Sequence, residues 1–325
     1  MGLNLHCHLE GCVRVDTAAD IARERGIPAP PGGWDAALRM REPADLTVFL
    51  AHVAAAYPVM GFADALQRIA REAVEDAAAA GEDFLEVRFG PATHQRPDLP
   101  IDAVIGAVRD GLDEGSRATG LPTGLVVCLL RHSEPEVNLE VARAAAARAG
   151  DGVVGLDVAG DELRWPSNEA YVEPYRIAAV AGLGLTAHAA EASGAGAARE
   201  AAEWLGATRI GHGSHVADDP DVLAWAADHG LTFEVCATSN VYTGAARSLR
   251  EHPLHAFLAA GAGVVLGNDN PITIDRTLAD EERDLVAEGG LAADDLAAIH
   301  RRAVEVGFME EGVRADLRRR FAAPA

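Results

Sequence analysis

Short apolar runs recur eight times along the chain, at residues 3–8, 84–89, 125–130, 153–158, 184–188, 208–212, 231–236 and 263–268. Each has the length and apolar character of a strand buried on both faces of a parallel sheet. Helix-compatible stretches, many of them Ala-rich, fill most of the gaps, among them 102–118, 136–149, 171–181, 196–205 and 220–229. Eight strands alternating with helices predict parallel βα units closed into a (β/α)8 TIM barrel, and no linker, repeat or low-complexity tract divides residues 1–325 into more than one domain. The connection from 11 to 83 is far longer than the others and carries a Pro/Gly patch, PAPPGG, at 28–33. It reads as a helical insertion after strand 1, on the face where barrels build their active sites, placed to serve as a lid or a pocket wall. Two further helical stretches, 280–288 and 293–306, and an Arg-rich end follow strand 8.

Polar residues able to bind metal or move protons stand at the C-terminal ends of several strands. His6 and His8, two apart on strand 1, share a side of that strand. His188 ends strand 5, with Glu191 three residues on; strand 6 runs into Gly211-His212-Gly213, and strand 8 into Gly267-Asn268-Asp269-Asn270-Pro271. Alone, each has a structural explanation: paired histidines occur as satisfied polar groups in strands, and an Asp before Asn-Pro suits a turn. Together, three histidines and an aspartate at one end of strands 1, 5 and 8 predict a metal centre formed by His6, His8, His188 and Asp269. Three imidazoles and a carboxylate suit one zinc ion, although iron or another divalent metal takes the same ligands. Such an ion lowers the pKa of water to about 7, so hydrolysis becomes the expected chemistry, with Glu191 and His212 on neighbouring loops to carry or orient protons.

Composition removes other classes. The chain has no lysine, and its 28 basic residues are all arginine. That excludes a Walker A loop, a lysine Schiff base and a lysine-bridged two-metal site. A net charge of -22 repels a phosphate backbone, so nucleic acid is not an expected partner. No apolar run is long enough to span a bilayer and no secretory leader is visible, which places the protein in the cytoplasm away from membranes. The four cysteines lie in dissimilar contexts and predict no disulfide framework. The sequence leaves the oligomeric state open.

With those residues in view, the chain resembles the adenosine deaminase family of metal-dependent amidohydrolases. LHCHLEG (5–11), LDVAGDE (156–162), HAAE (188–191), RIGHG (209–213), EVCATSN (234–240) and GNDNP (267–271) follow the family's motifs in order and span nearly the whole chain. The resemblance implies the same zinc ligands, His6, His8, His188 and Asp269, and catalytic roles for Glu191, His212 and Asp269. Glu191 would protonate the ring nitrogen beside the carbon under attack, and His212 would orient or deprotonate the attacking water. His8, Glu10, Gly160 and Asn270 would contact a small purine substrate, with Glu10 on the ribose side; His215 and Asp157 are either substrate contacts or structural groups behind the ligands.

Three departures from the family pattern stand out. Asn270 replaces a second aspartate, and its NH2 can donate directly to a purine nitrogen. Glu10 is a methylene longer than the usual Asp. Ala190 replaces the glycine of HAGE, which a residue with a Cβ tolerates if its φ is negative. The activity these features imply is zinc-dependent hydrolytic deamination of adenosine or a related 6-aminopurine nucleoside or base, giving ammonia and the 6-oxopurine. Adenine itself and a modified adenosine such as aminodeoxyfutalosine are alternatives within the family. A zinc hydrolase of an amide, lactone or phosphoester is the alternative in another class, and a catalytically silent barrel is a third that Glu191 and His212 argue against.

Overall fold

The structure, a computed structural model, describes residues 2–322. Eight parallel strands pair in sequence order: β1 (Leu3–His8), β2 (Phe84–Phe89), β3 (Thr123–Leu130), β4 (Val153–Ala159), β5 (Gly184–Ala189), β6 (Arg209–His212), β7 (Thr232–Val235) and β8 (Gly263–Leu266). The ring closes just past β8. Cys7 bridges Asp269, with the His8 N–H donating to the Asp269 carbonyl at 2.6 Å and the Asp269 N–H to the His6 carbonyl at 2.9 Å. This is the (β/α)8 barrel the alternation predicts. The sequence reading extends β8 to residue 268, whereas the strand ends at Leu266; the Gly267 N–H still donates to the Val235 carbonyl at 3.0 Å, and the turn through Asn268 carries Asp269 back onto β1.

The long first connection holds a 3-10 turn at Leu9–Cys12, helices Val15–Arg25, Gly33–Leu38 and Leu46–Ala54, a turn at Tyr57–Val59, and helix Ala63–Ala79. That last helix buries Leu66, Ile69, Ala70, Ala73, Val74 and Ala77 at helical spacing and packs on helix Ile101–Thr119 of the next unit. It is therefore the regular outer helix of the first βα unit, and the insertion ends near residue 62 rather than 83.

Below the C-terminal ends of the strands, the barrel interior is charged. Arg88 and Arg209 are fully buried, a placement that costs several kcal/mol per ion unless each is paired. Arg88 reaches Asp157 at 3.0 Å and Glu234 at 2.8 Å; Arg209 reaches Glu234 at 2.7 Å and Glu86 at 2.5 Å. Below them the Arg209 guanidinium lies 3.7 Å from the centre of the Phe308 ring, which floors the barrel. All four cysteines are buried free thiols, with Cys7 Sγ and Cys12 Sγ 3.4 Å apart. Among the described residues no helix is long and apolar enough to cross a membrane.

Candidate metal centre and active site

The four expected ligands meet at the barrel mouth. His8 Nε2 and His188 Nε2 lie 3.1 Å apart, and Asp269 Oδ1 lies 3.6 Å from His6 Nε2 and 3.5 Å from His8 Nε2. A tetrahedral ion with donors at about 2.0–2.1 Å requires donor–donor separations of about 3.3 Å, and these three separations lie close to that. His6 Nε2 is buried without a hydrogen-bond partner. A lone pair in that situation is costly unless something electrophilic meets it, and the donor set fits a divalent ion. His6, His212 and Asp269 also bring ligand atoms within 4.8 Å of one another, so His212 stands at the edge of the same cluster.

Carboxylates behind the imidazoles set their direction. His6 Nδ1 is 2.8 Å from Glu234 Oε2 and His188 Nδ1 is 2.9 Å from Asp157 Oδ2, which turns each Nε2 toward the centre. Arg88 joins those two carboxylates. Burial opposes ionisation of Asp157, but His188 and then Arg88 outweigh it and hold its pKa far below the usual carboxylate range. Burial first, and Arg88 next, lowers His6 well below the ordinary histidine value; burial brings His8 to about 4 against the opposing charge of Asp269, so both imidazoles are neutral. Asp269 Oδ2 accepts from Ser239 Oγ at 2.5 Å, leaving Oδ1 for the centre.

Close approach dictates part of the sequence here. A Cβ at Gly267 would stand 2.5 Å from both Cβ and the carbonyl oxygen of His6, so no larger residue lets the strand 8 loop reach strand 1. Gly160, at φ 117, turns its backbone to the cavity in a region that glycine alone enters freely. Ala190, His212 and Asp269 all sit at positive φ, 55, 61 and 55°. The condition of negative φ at Ala190 is not met: its Cβ is held in the left-handed region, at a cost of about 1–2 kcal/mol. Backbone strain of this kind persists where the surroundings over-determine it, and here it surrounds the ligand cluster.

Glu191 is the second feature of the site. Burial, and next the Asp269 charge, pushes its pKa up to about 8. Thr243 Oγ1 donates to its Oε1 at 3.4 Å, and its Oε2 faces His212 Nε2 at 3.7 Å. Burial lowers His212 to about 4, so the pair is a protonated carboxyl beside a neutral imidazole.

These groups line a cavity of about 300 Å³, at the small end of the range for small-molecule sites. The insertion supplies one wall through Leu46, Phe49, Leu50, Val53 and Tyr57, as a pocket wall expected from sequence. Trp165 and His132 belong to the same lining, as do Glu10, Gly160 and Asn270. Glu10 Oε1 accepts from the Gly90 N–H at 3.1 Å and lies 3.4 Å from His94 Nε2, while its Oε2 is buried and unpaired; Asn270 Oδ1 is unpaired as well. His215 pairs instead with Asp218 at 2.8 Å, outside the cavity lining, and Asp157 is a buried partner of His188. Two larger hollows, about 480 Å³ behind β1 and about 1040 Å³ at the opposite barrel end, gather no comparable set of ligand atoms among the described residues. Ser239, Asn240, His252, His94, Arg88 and the role of Glu234 were missed from sequence. Charged residues inside otherwise apolar strands were the available signal for Arg88 and Glu234; His252 lies in a loop with none.

The adenosine deaminase family model matches residues 3–324. A curated relative from Erwinia tasmaniensis, described as adenosine deaminase, is 33% identical over 329 residues, covering 98% of this chain and 97% of its own. Among solved structures, an adenine deaminase from Arthrobacter aurescens superposes with a TM-score of 0.90 at 25% identity, covering 98% of this chain and 97% of that one. The Arabidopsis protein ADAL, solved with IMP, gives a TM-score of 0.87 at 24% identity over 98% of this chain and 95% of that one, a likeness of fold.

Proposed function

The chain belongs to the adenosine deaminase family, hydrolases of amidine C–N bonds, and within it we propose zinc-dependent deamination of adenosine or a closely related 6-aminopurine by one domain over residues 1–325. The observation that carries this reading is Glu191, a carboxyl whose pKa burial raises to about 8, lining the same small cavity as His8, His188 and Asp269. His6, His8, His188 and Asp269 would hold the ion. When bound, it supplies Lewis acidity that lowers the pKa of water at the site from about 15.7 to about 7.

The remaining chemistry belongs to side chains. Glu191 donates its proton to the ring nitrogen next to the amine-bearing carbon as the oxygen of water adds to that carbon, which removes charge the ring would otherwise accumulate. His212 orients the water. The Glu191 carboxylate takes one proton of that water, which restores the acid; the C–N bond then breaks, the second water proton leaves with the amine as ammonia, and the ring keeps a carbonyl. Asn270 and the Gly160 backbone bind the purine edge, and apolar residues 46–57 exclude water from the reacting face.

Charge limits the substrate's tail. Glu10 and Asp161 line the cavity, and among the described residues no arginine does. Arg131, nearby and buried, is already engaged by the Trp165 and His188 carbonyls. A 5′-phosphate would meet carboxylates with no cation to answer it, so a neutral nucleoside or base is favoured over a nucleotide. The unpaired Glu10 Oε2 also supports free adenine, whose N–H could serve it in place of a ribose hydroxyl. Loss of the adenine absorbance band with ammonia release, measured on adenosine, 2′-deoxyadenosine, adenine, tail-modified adenosines and AMP, tests the reading. Turnover of AMP above all the neutral substrates would contradict it, and so would turnover of none.

A further inference from the structure

One neutral histidine can face the site with either a proton or a lone pair, and a buried chain of hydrogen bonds settles which for His212. The chain starts at a group that can only donate: the Leu254 backbone N–H reaches His252 Nδ1 at 3.0 Å. Burial keeps His252 neutral, its pKa lowered to about 3, and a neutral imidazole accepting at Nδ1 carries its proton on Nε2. His252 Nε2 is 3.1 Å from Asn240 Oδ1, so it is the donor there and the Asn240 amide is oriented by it. The other end of that amide, Nδ2, lies 3.0 Å from His212 Nδ1 and must donate. His212 Nδ1 is thereby an acceptor, and the ring proton sits on Nε2, which faces Glu191 and the ligand cluster. His252, Asn240 and His212 are 2%, 0% and 2% exposed, so water does not compete for these bonds.

We propose that His252 and Asn240 are positioning residues that lock His212 in its Nε2–H tautomer, so that it presents a hydrogen-bond donor to the oxygen of the attacking water and does not accept the water's proton. The inference rests on the reading of His212 as a catalytic group. Neither positioning residue touches the cavity, and their contribution comes entirely through the imidazole they fix. Asn240→Asp reverses the relay, because a carboxylate at that position demands a proton on His212 Nδ1 and turns a lone pair toward the site.

Long-range 1H–15N spectra of histidine-labelled protein read the tautomer directly. The expected result is a protonated Nε2 and an unprotonated Nδ1 for His212 in the native chain, reversed in Asn240→Asp. The reversal is expected to lower kcat about 10²–10³-fold, as for loss of an oriented donor, with KM changed far less. His252→Gln, which keeps an N–H for Asn240 Oδ1, retains the native tautomer and most of the rate; His252→Leu, which frees the amide to turn, loses both. A native His212 protonated at Nδ1, or undiminished kcat in a folded Asn240→Asp chain with the tautomer reversed, overturns the lock. Full turnover in His212→Asn would instead remove the catalytic role of His212, and the lock's function with it, whatever the spectra show.

Discussion

Replacing Glu191 by Gln keeps the outline of the side chain and removes its transferable proton. With its pKa at about 8, the native carboxyl is about 90% protonated at pH 7; at the ordinary value of 4.5 less than about 1% would be, so burial supplies over a hundredfold more of the acid form. A positioned general acid contributes typically 10²–10⁴ in rate, so Glu191→Gln is expected to lower kcat by that factor, about 3–5 kcal/mol of barrier, while the chain still takes up metal. The acid form is the active one, so kcat of the native enzyme falls as pH rises through the Glu191 value. A cation at the cluster draws that value down, which puts the fall at about pH 8 or below. Stability of the metal-free protein carries the same sign. A carboxyl whose folded pKa is raised favours the folded state fully below its unfolded value, and that advantage is lost as pH climbs to about 8. Glu191→Gln therefore gains on the native chain between about pH 4.5 and 8 and levels off above. Stopped assays of ammonia release between pH 5 and 9.5, with metal content measured in parallel, provide the check. Rates within tenfold of native in metal-loaded Glu191→Gln, or a native rate still level through pH 9, would refute the reasoning.

Arg88→Met should cost about 3–5 kcal/mol in denaturant unfolding, because Asp157 and Glu234 are left as buried, unpaired carboxylates behind two ligands; a loss under 1 kcal/mol would show that the guanidinium is dispensable. Ala190→Gly should leave stability unchanged or raised by up to about 1 kcal/mol, since relief of the left-handed strain offsets the lost methyl, and thermal melts showing a clear loss would contradict that. Asp269→Ala should abolish both metal retention and turnover while leaving the barrel's circular dichroism intact; retained metal at native affinity would remove Asp269 from the ligand set.

Much of this was legible because the barrel writes its pattern in short apolar runs and places chemistry at their ends. β1 and β2 agree with the sequence reading to the residue, and strand direction carries His6, His8, His188 and Asp269 to one end of the barrel. In sequence, helix Ala63–Ala79 reads as part of the insertion because it is one of several helical segments between 11 and 83, and only packing on helix Ile101–Thr119 separates barrel from addition. The positive φ of Ala190 escapes the sequence because it is set by the strand 5 loop closing over the cluster rather than by local preference. Glu234 and Asp157 were quoted within motifs, yet their hold on His6 and His188 depends on Arg88 reaching across from another strand, a non-local contact that spacing does not encode.

Zinc X-ray absorption on the loaded protein, with metal stoichiometry, bears most directly on the site. One ion per chain with only nitrogen and oxygen neighbours at about 2.0–2.2 Å, imidazole scattering that weakens in His6→Ala, and activity lost and restored with the ion is the expected result. A chain that binds no divalent metal, or one whose ion shows sulfur at about 2.3 Å, would contradict it.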